Sequence, residues 1–372
     1  MTNLTDIFFT LLRLSLNVNK DSKDCCLSVF ANTQSKAWEQ IFDLSIKQGV
    51  LLLSYGGLQY LPTKLQPPRK LKLRWCVNVV KGSERYDHYK SIITKLSNLF
   101  LNENIDLLLI KGVTISELYP IPYLRENGDI DIYVSEKIAD ANRLILSFGI
   151  KKGKDIPKHS TFIMDGVPIE SHYTFFDTTL QFKKERWLYQ KMEDMLVGML
   201  SDDICLSINW SNIHQLSPQS AALYLIGHTF RHFCCLDANI RQMCDWTIFF
   251  SKYKKDIDAS LLSSQINELG LDKFVYHINS FCSNYLGFNP YFMIPSKKDV
   301  KAERFIMKTL MRYRITRKIH IPVFNALTYL FYRHNIYKKY LGKVRIIDFL
   351  LPEIKNYFIY LLNSKRSFLR KK

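Results

Sequence analysis

No two cysteines in this chain stand at the spacing of a redox or zinc pair, and no disulfide framework is visible. The eight are Cys25, Cys26, Cys76, Cys205, Cys234, Cys235, Cys244 and Cys282. Reduced thiols in a cytoplasmic protein fit this usage. Long apolar runs are missing too. A bilayer span needs about 18 residues, and the best stretches, residues 323–331 and 357–362, fall short. No charged, apolar, small-residue succession follows Met1, so no secretory signal is expected. Acids are scarce in one region only. From Lys301 to Lys372 there are 18 Lys+Arg against 3 Asp+Glu, a surplus of 15 out of the chain's net +18. Such a segment suits nucleic acid, the anionic inner face of a membrane contacted peripherally, or a polyanionic acceptor. A solvated basic helical surface fits it equally well.

What is present is globular. The 372 residues are 47% hydrophobic and 23% charged, which argues against wholesale disorder and allows two or three packed units. Residues 1–62 read as helical, with a helix over 37–55 broken at Gly56-Gly57. Residues 61–72, holding Pro62, Pro67 and Pro68, read as a connector. Residues 85–100 place Tyr89, Ile92, Ile93, Leu96, Leu99 and Phe100 on one helical face. The period then changes. Residues 105–110 form an apolar run ending at Lys111-Gly112, a buried strand, and 114–119 a short helix stopped by Pro120 and Pro122. Residues 129–134 alternate as a half-buried strand does, and 136–148 form a helix closed by Gly149. Residues 161–164 and 167–176 read as strands joined at Asp165-Gly166. From Lys183 onward the pattern is helical.

The chemistry concentrates between the strands. Residues i and i+2 of a strand share a face, so Asp129 and Asp131 project together while Ile130 and Ile132 enter the core. Paired carboxylates repel, and a hard divalent cation with oxygen ligands relieves them. Glu170 and His172 share a face of a later strand. If that strand neighbours the first, three acids converge, enough to hold two Mg²⁺ (or Mn²⁺) ions with a nucleoside triphosphate. An exposed sheet edge that happens to carry acids is the bland alternative.

The segments Lys111-Gly112, Leu118-Tyr119-Pro120, Arg125-Glu126-Asn127-Gly128-Asp129-Ile130-Asp131 and Glu170-Ser171-His172 resemble an uncharacterised bacterial nucleotidyltransferase family within the DNA polymerase β superfamily. The specific likeness spans residues 105–176. Looser features extend to Gln48-Gly49, His228, His232, Arg241 and Asp245. A weaker similarity runs to the toxin branch of abortive-infection systems, which has Lys-Gly-Gly-Thr at the turn. The resemblance implies an α+β fold, with a polymerase β-like core (a small mixed sheet with helices) between helical regions. It also implies catalytic, metal-binding roles for Asp129, Asp131 and Glu170, and nucleotide contacts from Lys111, Gly112, Thr114, Arg125 and Gly128. Lys111 would neutralise a phosphate. Arg125 would reach the phosphates or hold the acids. Val113 departs from the family's Gly or Ser, which leaves Thr114 or backbone N–H groups to meet the triphosphate.

Four regions are expected: helical over 1–83, the transfer core over 84–182, a helical domain lining the cleft over 183–300, and a basic helical region over 301–372. A helix over 218–236 puts His228 and His232 beside that cleft. Their spacing with Cys234, Cys235 and Cys244 matches no standard zinc pattern. Arg241 and Asp245 stand at i, i+4, as a surface ion pair does. The expected reaction moves a nucleoside monophosphate from a triphosphate to a hydroxyl or phosphate and releases pyrophosphate. The acceptor is open between an anionic polymer, transfer RNA and a lipid-linked glycan. A toxin acting on transfer RNA, and an inactive protein that docks an anionic partner, are the rival readings.

Overall fold

The computed structural model describes residues 4–18, 27–105, 107–134, 137–180, 182–200, 206–208, 211–290, 298–311 and 323–352. Within the basic region expected from Lys301, the cluster of Arg312, Arg314, Arg317 and Lys318 and the basic tail from Ser364 lie outside these residues. The fold is mixed α/β, with helices surrounding a mixed seven-stranded sheet.

Three helices open the chain: α1 (Leu4–Leu16), α2 (Ser35–Lys47) and α3 (Leu51–Leu58). The break expected at Gly56-Gly57 falls earlier, at Gly49, which holds φ +63°. Gly56 and Gly57 instead lie inside α3, where they let α1 press against it. A Cβ on Gly57 would stand 2.1 Å from the Leu11 carbonyl oxygen, and one on Gly56 2.3 Å from Ser15 Oγ. The connector is also shorter than expected, because Pro68 caps α4 (Arg69–Asn102). This 34-residue helix starts well before residue 85. Its first half carries a thinner stripe of Leu71, Trp75 and Val79, which a periodicity reading passes over.

The sheet is built from β1 (Leu108–Leu109), β2 (Ile130–Tyr133), β3 (Lys151–Ile156), β4 (His159–Met164), β5 (Val167–His172), β6 (Leu206–Ile208) and β7 (Ser211–Gln215). Their order is β3-β4-β5-β2-β1-β7-β6. Between β1 and β2 lies the single turn α5 (Val113–Ser116), and between β2 and β3 the helix α6 (Ile138–Ser147). The β4–β5 hairpin turns at Asp165 (φ +49°) and Gly166 (φ +81°), the left-handed pair that suits a twisted two-residue hairpin. Strands β3, β6 and β7 were not visible in the sequence. The Ser211–Gln215 strand buries Ile213 but shows no apolar alternation in sequence, and its pairing with β1 on one side and β6 on the other makes it a strand.

Alternating residues enter two separate cores. Leu109, Ile130, Ile132, Phe162 and Ile169 join Ile92, Ile93, Leu96 and Phe100 of α4. Leu108, Ile110 and Tyr133 face the larger helical core. That core includes α7 (Lys183–Leu200), α8 (Pro218–Cys234), α9 (Ile240–Lys252), α10 (Ala259–Glu268) and α11 (Asp272–Leu286). Because both faces are covered, β2 is wholly buried rather than half-buried. Helices α12 (Val300–Leu310) and α13 (Val323–Leu341) follow. Among the described residues no helix is long and apolar enough to cross a membrane.

The α1–α3 contact yields a stability test. Gly57→Ala forces its new methyl group into backbone and is expected to cost about 3 kcal/mol or more. Gly198→Ala, in α7 with open space at its Cβ, should be neutral or stabilising by up to about 1 kcal/mol. Urea denaturation of both variants measures the contrast, and equal effects would refute the close-approach account.

Candidate active site

Strand pairing assembles the acids. β2 and β5 run parallel with Asp131 opposite Glu170 and Tyr133 opposite His172. Directly paired residues share a face, so the Asp131 and Glu170 side chains meet on the face that Tyr133 occupies. Ligand oxygens of Asp129, Asp131 and Glu170 all lie within 4.8 Å of one another. Asp129 sits one residue before β2. His172 Nε2 lies 2.9 Å from Asp131 Oδ1 and 3.5 Å from Glu170 Oε2.

The charge balance is uneven. Asp131 is fully buried. Burial raises its pKa, but Lys111 and the His172 hydrogen bond outweigh burial and hold it far below the usual carboxylate range. Lys111 Nζ stands 3.2 Å away, and that carboxylate keeps it charged despite its own burial. For Asp129 the charges of Lys111 and Arg241 are outweighed. Repulsion from Asp131, added to burial, lifts it to about 6. Glu170 is raised by burial but brought below its ordinary value by His172. Asp131 Oδ2 is buried without a hydrogen-bond partner. A buried carboxylate with one orphaned oxygen, clustered with two other acids, is what a divalent cation satisfies, so these residues fit one.

Beside the acids lies a cavity of about 380 Å³, within the range of roughly 300–1,000 Å³ usual for small-molecule sites. Its lining includes Lys111, Gly112, Thr114, Arg125, Gly128 and Asp129. Gly112 holds φ +78° and ψ −106°, a conformation open in practice only to glycine. The departure at Val113 has a simple outcome. The Val113 side chain is buried in the core under the sheet, and Thr114 is the residue that lines the cavity.

His228 and His232 line the cavity as well. Lys111 Nζ reaches His228 Nε2 at 3.3 Å, His232 Nε2 stands 3.1 Å from that same atom, and His232 Nδ1 meets Asp237 at 2.7 Å. Burial and the Lys111 charge push His228 well below its ordinary pKa. Neither histidine joins a metal-capable cluster among the described residues, and neither does any cysteine.

Arg125 and Asp245 play parts that local spacing hid. The expected Arg241–Asp245 pair does not form. Asp245 instead takes a two-pronged bond from Arg125, at 2.7 and 2.9 Å, and a 2.7 Å bond from the Tyr119 hydroxyl. A third Arg125 nitrogen donates to Asn127 Oδ1, and Asn127 also bonds Ser116 of α5. Arg125 therefore ties the loop that carries Asp129 to α9 rather than reaching the three acids. Arg241 donates to the Glu126 carbonyl at 2.7 Å, while the Glu126 carboxylate accepts from Leu51 N–H at the start of α3. Residues 125–128 are thus held between α3 and α9. Two further residues went unnoticed in the sequence. His159 Nδ1 lies 3.2 Å from Glu170 Oε2, and Lys158 is lowered to about 8 by burial and by Lys111.

A family profile described as an uncharacterised nucleotidyltransferase matches residues 34–287, from just before α2 to just past α11. No curated protein matches the chain. Among solved structures, an antigenic nucleotidyltransferase-like protein from Paracoccidioides brasiliensis aligns at 15% identity, covering 55% of this chain and 94% of that one with a TM-score of 0.32.

Two expectations follow from this geometry. Asp245→Ala leaves the buried Arg125 unpaired and should lower stability by about 3–5 kcal/mol, read by chemical denaturation. Asp129 acts in the opposite sense. Its carboxyl binds a proton more tightly folded than unfolded, so its contribution to stability falls as pH rises from 3.8 through about 6. Asp129→Asn removes that repulsion. It should make the metal-free protein more stable near neutral pH by roughly 1–3 kcal/mol, with the gain gone near pH 4. A variant less stable than the parent at neutral pH would refute this.

Proposed function

The chain belongs to this uncharacterised nucleotidyltransferase family, and on that premise we propose that it transfers a nucleoside monophosphate from a nucleoside triphosphate to a hydroxyl or phosphate acceptor, releasing pyrophosphate. The observation that carries the proposal is the convergence of Asp129, Asp131 and Glu170 beside a cavity bordered by the Lys111–Thr114 turn. The unit of β1, turn, α5 and β2, with β5 alongside, suits a polymerase β type of core.

Two divalent cations, Mg²⁺ or Mn²⁺, held by the three acids would supply a lower pKa at the acceptor hydroxyl and neutralise charge on the departing pyrophosphate. The protein's own groups do the rest, mainly by positioning and electrostatics. Lys111 lies between the acids and the cavity, where its charge serves Asp131 and a bound phosphate alike. The Val113 and Thr114 N–H groups open α5 and have no intrahelical carbonyl to meet, so they and the Thr114 hydroxyl are free for phosphate oxygens. Arg85 and Arg241 add positive charge to the wall. Arg125 and Asn127 hold Gly128 and Asp129 at the rim. Glu170 completes the cation set and takes the acceptor's proton. Residues 84–182 furnish the acids and the turn, 183–300 the far wall, and the basic region from 301 docks an anionic acceptor.

Incubation with each labelled triphosphate, Mg²⁺ or Mn²⁺ and a cell extract tests the proposal through whatever becomes labelled. Asp131→Asn should reduce labelling by at least ~10³-fold while the chain stays folded. Undiminished labelling would remove these acids from the reaction.

A further inference from the structure

The carboxylates are not the only ligand set on this face of the sheet. The two-residue turn of the β4–β5 hairpin places His159 directly opposite His172, and His172 stands two residues after Glu170 on the same face. His159, Glu170 and His172 each present one ligand atom, all within 4.8 Å of one another. The His159 Nδ1–Glu170 Oε2 distance is 3.2 Å and the His172 Nε2–Glu170 Oε2 distance 3.5 Å. A tetrahedral cation with nitrogen bonds of about 2.0–2.1 Å spaces its ligand atoms about 3.3 Å apart. Two of the three separations therefore already match coordination spacing, and the third is at most 4.8 Å.

Hydrogen bonding leaves the His159 member of this set open. His159 is only 6% exposed, and its Nδ1 has no hydrogen-bond partner despite facing Glu170. His172 is fully buried, and its Nδ1 also lacks a partner. In the metal-free protein the Asp131 carboxylate accepts from His172 Nε2, so that nitrogen carries the ring proton, and a cation must displace it. A proton on Nδ1 frees the Nε2 lone pair for a cation, which then takes the place of the proton between His172 and Asp131.

We infer that His159, Glu170 and His172 form a second metal site that prefers a transition cation such as Zn²⁺, Fe²⁺ or Mn²⁺ over Mg²⁺. The inference rests on the proposed function only in sharing Glu170 with the carboxylate site. Mg²⁺ demands hard oxygen ligands and gives up water reluctantly. Two imidazoles and one carboxylate are a ligand set of Zn²⁺ and Fe²⁺, and Mn²⁺, though harder, binds divalent sites more tightly than Mg²⁺ does when nitrogen is among the ligands. The chain thus offers one oxygen-rich position at Asp129 and Asp131 and one nitrogen-rich position at the histidines, joined through Glu170.

The test uses the full chain titrated with Mn²⁺ in excess Mg²⁺, read by pulsed electron paramagnetic resonance. Imidazole ¹⁴N couplings to the bound Mn²⁺ are expected. His159→Gln and His172→Gln should each diminish them and weaken Mn²⁺ binding by more than about tenfold, the least seen when even an outer partner of a ligand is lost. Should either variant fail to fold, the couplings in the parent chain decide. Bound Mn²⁺ without nitrogen couplings overturns the inference, as does no Mn²⁺ binding at all, or an affinity untouched by His159→Gln. Labelling from a triphosphate with Mg²⁺ alone would then leave the transfer reading standing. Nitrogen couplings without any nucleotide transfer would do the reverse.

Discussion

Two parallel strands in register set the terms for the rest of this molecule. Pairing β2 with β5 brings Asp131 against Glu170, and Asp129 joins them from the end of the strand. Three carboxylates so close, one of them with no exposure to water, oppose folding unless something offsets their charge. Lys111 and His172 do so for Asp131. His172 does so for Glu170. Asp129 is left with the uncompensated share, which its raised pKa records. An apolar site would be more stable and could hold no cation. The imbalance is what makes room for one.

The second constraint is mechanical. Asp129 hangs from a loop, and loops alone hold ligands loosely. Here residues 125–128 are tied on several sides. Arg125 binds Asp245 of α9, Asn127 binds Ser116, and Glu126 receives Arg241 from one helix and the start of α3 from another. Gln48 extends the bracing, accepting from Ile240 at the start of α9 and donating to the Leu310 carbonyl. Helices far away in sequence thus hold the loop beside the acids in place. The family match reaches from before α2 to the end of α11 and takes in nearly every partner in this bracing, Leu310 of α12 aside.

Much of the site was legible beforehand where chemistry and local period coincide. Asp129-x-Asp131 and Glu170-x-His172 follow from the two-residue repeat of a strand. The hairpin at Asp165-Gly166 follows from its dipeptide, and that same turn already implied the pairing of His159 with His172, since counting outward from Met164 and Val167 leads there. Partners of a long-range kind were not legible. Arg241 and Asp245 suggested each other at helical spacing, yet each bonds to the loop near residue 126, because helix direction and not sequence distance decides which groups meet. The glycine pair in α3 read as a break for the same reason. Its meaning lies in α1, which only packing brings within reach.

The sequence by itself determined the residues of the acid site and the turn beside it, since strand alternation, the apolar run before Lys111 and the hairpin dipeptide are all local. The tertiary structure alone decided that β2 and β5 are neighbours in register, that β7 closes the far side of β1, that Val113 turns inward and Thr114 outward, and that Arg125 answers to Asp245. Those facts depend on contacts across 40 to 120 residues of chain, where no periodicity carries information and only the competition to bury apolar surface and pair buried charge selects the partner.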